Sequence, residues 1–200
     1  MENLIAVNRL LSVPNGAITS YSNVVDNARC FISSFEKSVS DEDTDDDLRP
    51  ILSTLRNVTV SVEMELALAS VLKILFRKKS NRDAIGKFGF ASLVQCLTRQ
   101  SLSGVAAAEL GNTVLNACFD SDNVLLFLAE GGLAPLLRLL RSSDTVIQGS
   151  VLGALQGICF TVGGKYSIRS NMDAISTIAM FLISDCIIVR ARAVGTYVMV

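Results

Sequence analysis

The chain has 200 residues, half of them apolar, with 18 lysines and arginines against 19 aspartates and glutamates and no histidine. That is ample apolar material for one domain or one run of repeats, and the near-neutral balance gives no electrostatic footprint for nucleic acid or an anionic membrane. The lack of histidine removes Ser-His-Asp and Cys-His catalysis and every histidine metal site in one step.

The first elements read as follows. "ENLIAVNRLL" carries Glu2 and Arg9 within a short apolar pattern, which is not a basic region followed by a clean hydrophobic run, so no secretory leader is expected. A turn at "SVPNG" precedes Tyr21, Val24, Val25, Ala28, Phe31, Ile32 and Phe35 at helical spacing. "SDEDTDDD", Ser40 to Asp47, follows; so dense a run of like charge repels itself and is expected to form an exposed loop. It is not a calcium loop, because an EF-hand counted from Asp41 needs glycine where Asp46 stands and glutamate where Leu52 stands. Ser38 and Ser40 each have an acid three residues downstream and are candidate phosphorylation sites.

Further along, "SVEMELALASVLKILF" has acids near its start and is followed by Arg77, Lys78, Lys79 and Arg82, the arrangement that a helix dipole favours. In "NVLLFLAEGGLAPLLRLLRSSD", Asn123 to Asp144, an apolar helix breaks at Gly131-Gly132, restarts with Pro135 on its first turn and stops at a polar turn. "GGKYS" at Gly163 is not a phosphate loop, since Cys159 stands at the first glycine position and Tyr166 follows the lysine. No apolar stretch approaches ~20 residues without a charge, glycine or proline, so no bilayer span is expected. The five cysteines (30, 96, 118, 159, 186) are far apart and odd in number, which fits buried reduced thiols better than a disulfide framework. We expect a soluble chain of the cytoplasm or nucleus, in which the sequon Asn57-Val58-Thr59 carries no glycan.

These segments repeat. Placing Pro135 on Pro50, Ser92 and Ser176 brings "PILSTLR", "SLVQCLT", "PLLRLLR" and "STIAMFL" into register at spacings of 42, 43 and 41. One column then reads Leu52, Val94, Leu137, Ile178 and another Leu55, Leu97, Leu140, Phe181, as for a helix burying its i and i+3 positions. Phe35, Phe76, Phe119 and Phe160, spaced 41, 43 and 41, give a second and independent register. Each unit holds a short helix, a glycine break, a second helix, a polar turn and a longer third helix in roughly 42 residues.

The period, with "N-x(6)-EGG-L-A-P-L-L-x-L-L-x-S-x-D", resembles the armadillo repeat family. The resemblance covers most of the chain: it is strongest over 81–164, good over 48–79 and recognisable over 166–200. HEAT repeats share the period but have two helices, and the Gly-Gly break after a short first helix favours armadillo. The resemblance implies an all-α fold, a right-handed α-solenoid of three-helix repeats. We divide it as 1–39, a partial N-terminal capping repeat; 40–47, the acidic loop; 48–80, 81–122 and 123–165, full repeats; and 166–200, an incomplete repeat. "TYVMV" stops one residue before the register places its next phenylalanine. We therefore expect Val200 not to end the solenoid unless another subunit covers its apolar last helix.

The resemblance also implies function: stacked third helices line a concave groove that binds other proteins. In armadillo proteins similar to importins and catenins, an asparagine on each third helix grips the backbone of an extended peptide, often beside a tryptophan one turn earlier. The matching column here reads Lys73, Asn116, Gly157 and Thr196, with Ala69, Asn112, Gly153 and Arg192 four residues earlier, and the chain has no tryptophan. Only Asn116 fits, which argues against import-signal recognition; Asn112 and Asn116 stand out as contact candidates among these eight partner-binding positions. The expectation is a non-catalytic scaffold or adaptor with protein partners and no catalytic residue, metal or cofactor. It includes no nucleic acid, no membrane insertion, and self-association through the C-terminal helix as a further option. Two alternatives stay open, an armadillo-type regulator of a small GTPase and a structural subunit assembling end to end.

Overall fold

The structure is a computed structural model that describes residues 21–35, 48–57 and 60–200. Much of the N-terminal cap, the acidic run and the serines at 38 and 40 lie outside the described residues. Within them every regular element is helical: α1 (Tyr21–Phe35), α2 (Arg49–Leu55), α3 (Val62–Leu75), α4 (Lys79–Ala84), α5 (Gly86–Thr98), α6 (Gly104–Ala117), α7 (Ser121–Ala129), α8 (Leu133–Leu140), α9 (Thr145–Ile158), α10 (Val162–Arg169), α11 (Met172–Met180), a single 3₁₀ turn (Phe181–Ile183) and α12 (Ile187–Met199).

Three triplets follow one another: α4–α5–α6, α7–α8–α9 and α10–α11–α12. Their long third helices stack in chain order, α3 on α6, α6 on α9 and α9 on α12, with α1 packed against α3. The shorter helices form a second layer in which α2 meets α5, α5 meets α7 and α8, and α7 and α8 meet α10 and α11. The molecule is an α-solenoid in which each unit leans on its neighbours.

Local chemistry explains where each helix begins. Ser61, Ser103 and Asp144 precede the third helices α3, α6 and α9, and their side-chain oxygens accept from Met64 N, Ala106 N and Val146 N. Each satisfies one of the amides that a helix start leaves without an internal partner. Thr161 and Asn171 do the same for α10 and α11. Between α7 and α8 the chain turns by 82°. Gly131 sits there at φ +80°, a conformation that favours glycine, and a side chain on Gly132 would run into the Phe127 ring, 2.3 Å from its tip.

The two sequence columns map onto the core. Leu52, Leu137, Ile178, Leu55, Leu97 and Leu140 are buried, while Val94 and Phe181 are half-buried against the same core. Phe90 of α5 meets Phe127 of α7 edge-on at 6.1 Å, joining successive units. The phenylalanine column behaves differently. Phe76 is buried, but Phe119 and Phe160 are 76% and 73% exposed.

Candidate functional site

The third helices α3 and α6 turn one side into the core and the other toward solvent, whereas residues 149–155 of α9 are buried throughout. On α3 the outward side carries Leu66, Ser70 and Lys73, and Arg77 follows its end; on α6 it carries Val105, Glu109, Asn112 and Asn116, with Phe119 just beyond. These positions recur every three to four residues, the spacing of one helical face.

Polar side chains cross from each unit to the one before. Asn116 donates its amide to Lys73 O at 2.8 Å, and Thr113 donates to Ala69 O at 3.4 Å. Lys73 is paired with Glu109 at 2.6 Å. Further along, the Arg192 guanidinium donates to Gly149 O, and Thr196 donates to Leu152 O at 3.4 Å. In the other layer Arg99 donates to Leu55 O, and its guanidinium pairs with the buried Glu65, whose second oxygen accepts from Ser103 N at 3.1 Å. Partners in these bonds lie 34–44 residues apart, in successive units.

The eight partner-binding positions read from sequence fall into two groups. Lys73, Asn112, Asn116, Gly157 and Arg192 are partly open to solvent on the third-helix side. Ala69 and Thr196 are fully buried, which corrects their assignment as contact residues, since an atom sealed between two helices meets no partner. Gly153 is also buried, because the Arg192 guanidinium lies over it; a Cβ there would stand 2.7 Å from Arg192 Nη1. A strict 43-residue offset from Asn112 lands on Ala69, whereas the exposed stripe of α3 runs through its neighbour Ser70.

Two hollows that the sequence did not single out flank Phe119. One, of about 390 Å³, is bounded by Leu115, Cys118, Phe119, Gly157 and Phe160. The other, of about 300 Å³, is bounded by Phe76, Arg77, Arg82, Asn116 and Phe119. Arg82 is held in place by Asp120 at 2.8 Å and by the carbonyl oxygens of Phe76 and Arg77, and its guanidinium stacks 5.0 Å from the Phe119 ring centroid.

Cysteine chemistry is muted where the thiols are buried. Burial pushes Cys96 up to about 12 and Cys159 up to about 11, and raises Cys118 as well, so all three are protonated at neutral pH. Cys30, expected in the core, is exposed, and Cys186 is half-buried. Among the described residues no cluster of three or more acids or cysteines could hold a metal ion, and no single helix is long and apolar enough to cross a membrane.

No family sequence model matches the chain, and no curated protein matches it. Solved structures do match. A designed armadillo repeat protein superposes with a TM-score of 0.73 at 14% identity, over 96% of this chain and 80% of that one. A second, in complex with the peptide (KR)4, gives 0.75 at 15% identity, with the same coverage. Computationally designed armadillo repeat proteins for modular peptide recognition give 0.74 at 14% identity, again over 96% and 80%. Three-helix units, stacked third helices and a superposition that spans nearly the whole molecule make this chain an all-α solenoid of the armadillo repeat fold.

Proposed function

We propose that the chain is a non-catalytic scaffold or adaptor that binds protein partners along the side formed by its third helices. The observation that carries this is the open stripe on α3 and α6, where apolar Leu66 and Val105 alternate with Ser70, Lys73, Glu109 and Asn112 at helical spacing. A mixed apolar and polar surface on a rigid support is what a specific protein contact needs. The solved neighbour that holds a (KR)4 peptide supports reading such a surface as a peptide or protein platform. A site in the cytoplasm or nucleus fits three buried, unpaired thiols and is part of this proposal.

The test is affinity capture from cell lysate with the wild-type chain beside a variant carrying Ser70→Arg and Asn112→Arg, with circular dichroism to check folding. Retention of a partner by the wild type alone supports the proposal. Identical retention by both folded proteins contradicts it.

One observation favours a second reading, self-association through the last helix. Ile187, Val194, Tyr197 and Val198 of α12 are all exposed, and Val198 is 79% so. Sedimentation equilibrium of the wild type and of Tyr197→Glu separates the two: a dimer lost in the variant favours end-to-end assembly, a monomer in both favours the adaptor.

A further inference from the structure

We propose that the edge formed by the residues one place past the C-caps of the third helices, Arg77, Phe119 and Phe160, docks a peptide. Its occupant is an extended segment of a partner protein that carries a carboxylate and, three residues away, a large apolar side chain. This deepens the scaffold proposal and rests on it.

Phe76 is the C-cap of α3, and Phe119 and Phe160 stand one place past the C-caps Cys118 and Cys159 of α6 and α9, level with Arg77. The first is sealed in the core, and the other two project into solvent at 76% and 73% exposure. Covering a phenylalanine is worth about 1.5–3 kcal/mol, so two largely exposed rings lining one hollow form the kind of apolar patch that a partner covers. The hollow between them is apolar on its sides, with Leu115 and Cys118 beside the two rings. Gly157 belongs to its lining, and a Cβ there would come within 2.7 Å of Leu115 Cδ1, so glycine leaves room for the leucine to lie flat.

The neighbouring hollow has the opposite chemistry. Arg77 and Arg82 line it with the Asn116 amide. The carbonyl oxygens that end α3, those of Phe76 and Arg77, are taken by Arg82, which offsets the negative end of the helix dipole. Asp120 balances Arg82, and the exposed Arg77 leaves one positive charge in excess. A carboxylate fits there, and a bidentate guanidinium contact is the geometry that arginine offers.

The two hollows share Phe119 as a common wall and lie one repeat apart. Packed helix axes are separated by about 8–10 Å. A polyproline-II segment rises about 3.1 Å per residue with three residues per turn, so residues i and i+3 point the same way about 9 Å apart. That repeat matches the general spacing of packed helices, and it is the conformation and spacing proposed for a segment reaching both hollows.

The probes are fluorescein-labelled Gly-Gly-Glu-Pro-Pro-Leu-Gly-Gly and its reversed form Gly-Gly-Leu-Pro-Pro-Glu-Gly-Gly, read by fluorescence anisotropy with the full chain. One of them is expected to bind. Phe160→Ser, Arg77→Glu and glutamine for glutamate in the probe are each expected to weaken it by about tenfold or more. Because Phe160 and Arg77 are exposed, both variants should keep the wild-type circular dichroism and melting temperature. Binding of neither probe above an all-glycine and proline control overturns the proposal, as does binding unchanged in both variants. Random dodecapeptides selected on the wild type separate the two levels: binders insensitive to Phe160→Ser and Arg77→Glu but lost with Asn112→Arg overturn the edge and leave the scaffold standing. A library that yields no binder counts against both. A dimer abolished by Phe160→Ser overturns the edge by showing that a second copy covers it.

Discussion

Asn123 donates its side-chain amide to the carbonyl oxygen of Ala117 at 3.0 Å, so the first helix of one unit closes the C-terminal end of the third helix before it. The same amide reaches Arg82 O at 2.9 Å, one repeat earlier. Asn81 repeats the device on Leu75 O at 2.9 Å. In the next unit the register places Gly164, where a Cβ would lie 2.0 Å from Ile158 O, and Thr161 supplies the bond to that carbonyl instead at 3.0 Å. Asn123→Ala leaves two carbonyls without their donor at a buried site, and we expect a loss of about 1–3 kcal/mol in urea unfolding with no change in helix content. Asn112→Ala, on the open side, should change stability by less than about 0.5 kcal/mol.

The Glu65–Arg99 pair is the most buried charge interaction among the described ion pairs, with side chains 2% and 7% exposed. Removing one member strands the other charge, so Glu65→Leu and Arg99→Met should each cost about 3–5 kcal/mol. The double variant should recover much of that, because neither charge is then left alone. A double variant as unstable as the sum of the two would show that the pair does not act as a unit.

The glycine break makes two separable demands. Gly131→Ala meets open space but keeps a left-handed backbone, which should cost about 1–2 kcal/mol. Gly132→Ala has the opposite problem, a clash with the fully buried Phe127, and overpacking there should cost about 1–3 kcal/mol and widen the near-ultraviolet or NMR signature of the core. Thermal unfolding of each single variant checks both values.

Thiol reactivity follows burial. Iodoacetamide at pH 8 should label Cys30 first and Cys186 next, while Cys96, Cys118 and Cys159 react only on unfolding. The linkage has a definite sign: these three thiols have folded-state values raised from 9.0. Their protonated form stabilises the fold fully below pH 9, and that contribution is lost as pH climbs from there through about 11 and 12. Cys96→Ala should flatten the fall in stability across this alkaline range.

Much of the fold was legible because repetition amplifies weak signals. The columns through Leu52 and Leu55 each recur four times, and Gly131-Gly132 marks a turn that only glycine accommodates. The candidate site was less legible. Ala69 and Ser70 are adjacent in sequence, and only the packing of α3 against its neighbours decides which one sees solvent. The phenylalanine register was visible as a periodicity, yet nothing in one sequence tells that Phe76 is sealed and Phe119 open. The difference is a one-residue offset against the helix end: Phe76 caps α3 where the buried Cys118 and Cys159 cap α6 and α9, and Phe119 and Phe160 fall one place further. Asn123 appeared in the motif as a letter, without the carbonyls it serves.

The most direct test of the central claim is site-specific photocrosslinking to a captured partner, with p-benzoylphenylalanine placed at position 112 on the third-helix side of α6 or at position 53 on the second helix α2, where Ser53 is exposed. The account predicts a crosslinked partner at 112 and none at 53. Crosslinking at 53 with none at 112 would contradict it, because the partner would then be held by the layer of short helices.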